Sequence, residues 1–181
     1  MVKTLIAVAL LGTMAAANAE LGIKDFLLGE ELSAAAAKGG MGCSTSKDVP
    51  GPFCSNINDR KPDLITTIAG VPAKRVIISG LDDGKLGNIR YSFSQAGFGI
   101  VRGAFVGKYP DMKCEDSTVK NRMGAEFDQT VCTYTSPDGT LTIRRRGSDL
   151  TEGDAVATSA AYIAGSRAWL DKRKVEGKKD I

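Results

Sequence analysis

The sequence predicts an α+β fold: an antiparallel β-sheet with two principal helices packed on one face, divisible into two helix–hairpin half-repeats, and a further helix at the C-terminus. Three observations predict it. Short runs rich in β-branched residues alternate apolar and polar side chains, as half-buried antiparallel strands do. Two segments have helical composition or helical spacing of apolar residues. Four cysteines, Cys43, Cys54, Cys114 and Cys132, form an even set with no histidine anywhere in the 181 residues.

The chain opens with the parts of an export signal. Lys3 supplies positive charge, Leu5 to Leu11 is a short apolar run, and Ala17-Asn18-Ala19 is the small-x-small pattern that signal peptidase cleaves after. The run is shorter than the roughly 20 apolar residues a membrane-spanning helix needs. Residues 1–19 are therefore expected to be removed, leaving a single disulfide-bonded domain over 20–163 and a basic C-terminal helix or tail over 164–181. The half-repeats would be 20–94 and 95–163.

In the first half, Glu30 to Lys38 has helix-forming composition, acids at its start and Lys38 at its end, as the helix dipole favours. Gly39-Gly40 stops it. Residues 40–63 are rich in Gly, Pro, Ser, Asp and Asn and are expected as a loop held by the first cysteine pair. Leu64 to Ile68 and Lys74 to Ser79 carry strand signals. Asp82-Asp83-Gly84 marks a turn, and Ile89, Tyr91 and Phe93 alternate with Arg90 and Ser92, so 74–94 is expected to be a hairpin.

In the second half, Phe98, Val101, Ala104, Phe105 and Tyr109 follow helical spacing, with Ser94 as an expected N-cap and Pro110 as the stop. Ser136-Pro137-Asp138-Gly139 is a turn between strands at Glu126 to Thr135 and Thr140 to Arg146. Ala155 to Ile163 is expected as the last strand. The tail carries Trp169, expected as a core plug, and a run of lysines and arginines.

In an exported chain four cysteines read as two disulfides. Cys43–Cys54 and Cys114–Cys132 are favoured because each closes a local loop, worth about 3 kcal/mol per bridge in the chain-entropy model. Zinc sites use close Cys-x-x-Cys or Cys/His spacings, so neither a metal nor a cofactor is expected.

The two halves follow one plan: a helix, a cysteine five residues after Lys38 or Tyr109, a second cysteine, then a hairpin. Met41-Gly42-Cys43 and Met112-Lys113-Cys114 share a Met-x-Cys. With Phe26 to Leu32 leading into the first helix and Phe105-Val106-Gly107-Lys108-Tyr109-Pro110 closing the second, the chain resembles the tandem helix-plus-meander proteins of bacterial envelopes, the architecture of the β-lactamase inhibitory protein and the SmpA/OmlA domains. The resemblance implies a binding or inhibitory scaffold and transfers no functional residue. No lipidation cysteine follows the cleavage site, unlike in the lipoprotein members.

The absence of histidine excludes Ser-His-Asp, Cys-His and His-based nuclease chemistry. Carboxylates at Glu115–Asp116 or Glu126–Asp128 leave a cell-wall glycosidase as the alternative class. The near balance of 24 Lys+Arg against 21 Asp+Glu argues against a nucleic-acid partner. The expected binding residues are Arg144 and Arg146, which strand alternation turns to one face while Arg145 points with Leu141 and Ile143. Paired arginines can grip carboxylate or phosphate groups of a protein or envelope component. A third reading is a structural envelope protein touching the membrane through residues 164–181 without spanning it. The expected function is thus an exported, periplasmic or secreted, non-catalytic binding, inhibitor-type or envelope accessory protein.

Overall fold

The computed structural model describes residues 21–56 and 67–177. The export signal, residues 64–66 of an expected strand, and Lys178-Lys179 of the basic tail lie outside the described residues. Among these residues the fold is α+β, mostly antiparallel sheet with three α-helices. A small ribbon of β1 (Gly22–Ile23) and β2 (Phe26–Leu27) precedes α1 (Leu32–Lys38). The main sheet then collects β3 (Gly42–Ser44), β4 (Phe53–Ser55), β5 (Thr67–Ile68), β6 (Val71–Gly80) and β7 (Leu86–Ser94). A 3-10 turn (Gln95–Gly97) leads into α2 (Phe98–Lys108). There follow β8 (Lys113–Lys120), β9 (Glu126–Ser136), β10 (Gly139–Arg144), β11 (Glu152–Ser159) and α3 (Ala160–Gly177).

The strand order is β3-β4-β6-β7-β11-β10-β9-β8, with β5 pairing on β6. Away from the central β7–β11 pair the order reads β7, β6, β4, β3 on one side and β11, β10, β9, β8 on the other. Each side is an antiparallel meander preceded by a helix, and each outermost pair carries a disulfide. Cys43 lies directly opposite Cys54 and Cys114 directly opposite Cys132, so both bridges are cross-strand staples at the two edges.

Directly opposed residues of an antiparallel pair share a face, so the register assigns sides. One row runs Cys54, Ile78, Ile89, Ala157, Leu141, and the next runs Val76, Tyr91, Ala155, Ile143, Cys132. All ten are fully buried. Leu32, Ala35 and Ala36 of α1 and Phe98, Val101 and Phe105 of α2 belong to the same cluster. Burial of this single apolar face is the main stabilising term.

Several elements differ from expectation for identifiable reasons. The first helix starts at Leu32, because the backbones of Glu30 and Glu31 pair with the turn after β6 instead: Leu86 N–H donates to Glu30 O at 2.7 Å, and Glu31 bridges Lys85. The expected loop at 40–63 contains β3 and β4, drawn into the sheet by the disulfide and by the edge of β6. Ser94 precedes the 3-10 turn and makes no side-chain cap, and Gly97 is the N-cap of α2. The last strand ends at Ser159, whose Oγ accepts the Tyr162 N–H at 3.0 Å and so starts α3 where four more strand residues were expected. Strand β8 was missed altogether. Its Lys-Cys-Glu-Asp-Ser-Thr-Val-Lys sequence does not alternate, because nearly every side chain is exposed at the sheet edge.

Tyr91 sits in the core with its hydroxyl buried and without a hydrogen-bond partner among the described residues. Burial, with a smaller contribution from Asp25, pushes its phenol well above the ordinary tyrosine value. The folded state therefore keeps the proton longer than the unfolded chain, and stability falls as pH rises past about 10. Tyr91→Phe is expected to remove that alkaline loss. At neutral pH it should raise stability by about 1 kcal/mol, since an unsatisfied buried hydroxyl disappears. Denaturant unfolding at neutral and alkaline pH checks both arms, and a variant less stable than the parent at neutral pH would contradict the reading.

Candidate functional site

The other face of the sheet is built from the alternate positions of the same strands, mostly polar, with Ile77, Val156 and Val131 among them. Its middle row is Ile77, Arg90, Val156, Thr142 and Thr133. On one side lies a row of hydroxyls and an amide: Ser79, Asn88, Thr158, Thr140 and Thr135, in which Asn88 Nδ2 donates to Thr158 Oγ1 at 2.8 Å. On the other side lie Arg75, Ser92, Asp154, Arg144 and Val131. Most of these side chains are half-exposed, in contrast to the buried rows behind them.

Arg144 stands on this face; β10 ends there rather than at the expected Arg146, which lies beyond the strand. Arg144 makes a two-pronged pair with Asp154, Nε to Oδ1 at 2.8 Å and Nη2 to Oδ2 at 2.7 Å. Asp154 is only 3% exposed, so the guanidinium neutralises a carboxylate that the sheet has taken out of water. The hydrogen bond to Asp154 holds the Arg144 guanidinium above its usual value. Arg146 donates from Nε to Asp128 O at 2.8 Å and from Nη1 to Leu150 O, with its guanidinium 4.9 Å over the Phe127 ring. Both expected binding residues thus have partners within the chain. Arg145 turns toward Asp128, 3.9 Å away.

The sheet adds two arginines that the sequence reading did not select. Arg75 lies 3.9 Å from Glu152, which also pairs with Lys74 at 3.1 Å. Arg90, in the centre of the face, has no ion-pair or hydrogen-bond partner among the described residues. The signal for Arg90 was available: the alternation that buries Ile89 and Tyr91 turns the residue between them to the opposite side.

The carboxylate candidates fall apart as a pair. Glu115 lies opposite Val131 and Asp116 opposite Thr130, so these sequence neighbours point to opposite faces. Glu126 pairs with Lys120 at 2.8 Å. Asp116 and Asp128 share a depression of about 310 Å³ with Arg145, but Asp116 accepts the Thr130 hydroxyl at 2.6 Å and Asp128 faces the arginine. Asp83 serves its turn, accepting the Lys85 N–H at 3.0 Å. Among the described residues no group of three or more potential ligands could hold a metal ion.

Helix α3 docks by close approach. A Cβ on Gly87 would lie 2.5 Å from the Tyr162 ring, and one on Gly165 would lie 2.4 Å from Leu81. Trp169 is not the expected core plug: it is half-exposed beneath the Arg173 guanidinium, which also donates to Lys47 O. Lys174 pairs with Asp171 at 3.4 Å. No described helix is long and apolar enough to cross a membrane.

Fold and site together define a disulfide-stapled α+β protein with one sheet face buried and the other open and arginine-bearing. Comparison with protein-family models, with curated proteins and with solved structures returns no match.

Proposed function

We propose that the chain is an exported, non-catalytic binding protein of the inhibitor or envelope-accessory type, whose open sheet face holds an acidic protein or envelope component. The observation that carries this is Arg90, a half-exposed guanidinium at the centre of the face with no partner among the described residues, set between Ile77 and Val156 on the neighbouring strands and with Asn88 and Ser92 before and after it on its own face of β7. A guanidinium there can fork onto a carboxylate or phosphate, while asparagine and serine side chains both donate and accept. The two disulfides fit an oxidising compartment, which supports export of the chain. Arg144, on the same face two strands away, is held by Asp154 and offers only its remaining N–H groups.

The duplicated plan belongs to the same reading. Each half supplies a helix and then an antiparallel meander whose first two strands are stapled, and the halves meet at β7–β11. This arrangement supports two related units over 20–94 and 95–163, and with them the likeness to tandem helix-plus-meander binding proteins.

The test is capture by immobilised residues 20–181 from an envelope extract, with the captured species identified by mass. Arg90→Ala is expected to weaken capture of that species by about tenfold or more, the worth of a charge-assisted hydrogen bond. The unfolding midpoint should not change, because Arg90 has no described partner to lose. Undiminished capture by Arg90→Ala would sink the proposal.

A further inference from the structure

The main sheet ends on one side at β8, and among the described residues no strand pairs with the outer main-chain edge of β8. The register of its inner side is readable. Asn121 N–H donates to Ala125 O at 3.0 Å, closing the hairpin on an odd-numbered residue. Cys114 and Cys132 are 3.9 Å apart at Cα, the narrow spacing of a pair that exchanges no main-chain bonds. Odd-numbered residues of β8 therefore bond to β9. The N–H and C=O groups of Cys114, Asp116, Thr118 and Lys120 point outward, away from the sheet. An edge of this length is a template for another strand.

The charges along the edge select what pairs with it. Acids occupy one end, at Glu115 and Asp116, and bases the other, at Lys120 and Arg122. Antiparallel pairing with a second β8 runs the acidic end of one copy along the basic end of the other. Only registers that oppose two outward-pointing residues make the ladder. Centring the pair on Asp116 sets two carboxylates against each other. Shifting it so that Asp116 meets Thr118 leaves no charge matched. Centring it on Thr118 places Asp116 opposite Lys120 twice, once on each side of the axis, and brings Arg122 opposite Cys114, beside Glu115. Unlike charges directly opposed across strands stabilise a pair, and like charges oppose it.

We infer that the protein forms a two-fold dimer by antiparallel pairing of β8 with β8 of a second copy, centred on Thr118. The pairing continues one sheet through both chains and keeps their open faces on the same side. It also sets the hairpin tip, where Met123 is 93% exposed, beside Lys113 of the other copy. The inference goes beyond the binding role and does not depend on it: Arg90→Ala leaves the dimer intact. A dimer would nevertheless present two such faces to one extended ligand.

Sedimentation equilibrium of residues 20–181 tests it. The parent is expected at twice the chain mass at high concentration. Thr118→Pro should run as monomer with an unchanged unfolding midpoint, because the N–H it removes points outward and proline is tolerated on an edge. Asp116→Lys and Lys120→Asp should each be monomeric alone, since each sets like charges opposite one another twice. An equimolar mixture of the two should regain the dimer mass, because each lysine at 116 or 120 of one chain then meets an aspartate of the other. A monomeric parent, a dimer that survives Thr118→Pro, or a mixture that stays monomeric would each overturn the inference.

Discussion

Replacing Cys114 and Cys132 together by alanine is expected to lower the stability of the fold by about 3–4 kcal/mol. Most of this comes from the unfolded chain, which gains the freedom of an 18-residue closure. The remainder comes from the core, where Cys132 is fully buried beside Ile143 and its loss leaves unfilled space. The physical consequence is local as well as global. Strand β10 pairs with β9 only as far as Val131, so the outer part of the β8–β9 hairpin extends past it and is held by its own ladder, by the staple at its base and by hydrogen bonds linking Arg145 and Arg146 to residues 128–130. Guanidinium unfolding under non-reducing conditions, with hydrogen exchange across 113–130, measures both effects. A loss below about 1 kcal/mol would mean that β8 is secured by something other than the bridge.

Arg144→Ala should cost about 2–3 kcal/mol, an effect that belongs to the fold rather than to recognition. The substitution strands the buried Asp154 carboxylate, which receives both arms of the Arg144 fork. The cost stays below that of a fully enclosed pair because the Arg144 side chain is 37% exposed and water can partly replace it. Removing both partners, Arg144→Ala with Asp154→Ala, is expected to recover part of the loss, since no unpaired charge remains. A double-mutant cycle from chemical denaturation reads this coupling. Additive single losses would show that the pair is not the source of the stability. The same reasoning makes Arg90→Ala, rather than a double substitution of Arg144 and Arg146, the sharper probe of binding: Arg144→Ala confounds lost contacts with lost fold.

The parts of the fold that were legible from residues alone are those where local pattern and tertiary packing agree. Ile89, Tyr91 and Phe93 alternate because one face of β7 is buried, so the hairpin of β6 and β7 could be read directly. Phe98, Val101 and Phe105 recur at helical spacing because α2 buries one stripe, despite four glycines in and around it. Both disulfides were reached from loop length and an even count. Strand β8 was illegible for the opposite reason: it buries almost nothing, so no apolar period marks it, and its pairing comes from the neighbouring β9 and the Cys114–Cys132 bridge. The boundary of α3 was missed because Ala155 to Ile163 is apolar throughout. A cap from Ser159, invisible as composition, divides strand from helix.

For the site, the alternation expected through Arg146 holds only as far as Arg144, where β10 ends, because side-chain direction is set by backbone period only within the strand. It could not foretell that Asp154 and the carbonyls of Asp128 and Leu150 would satisfy these two arginines. Those partners arrive from two other strands and a loop, through pairings that only the folded sheet creates. Residue types and their local period thus determined the class of fold, the paired cysteines and the polarity of the strand faces that bury one side. Tertiary structure decided which charges were matched, because neutralisation depends on distance between groups far apart in the chain, and it leaves Arg90 at the centre of the sheet without a partner among the described residues.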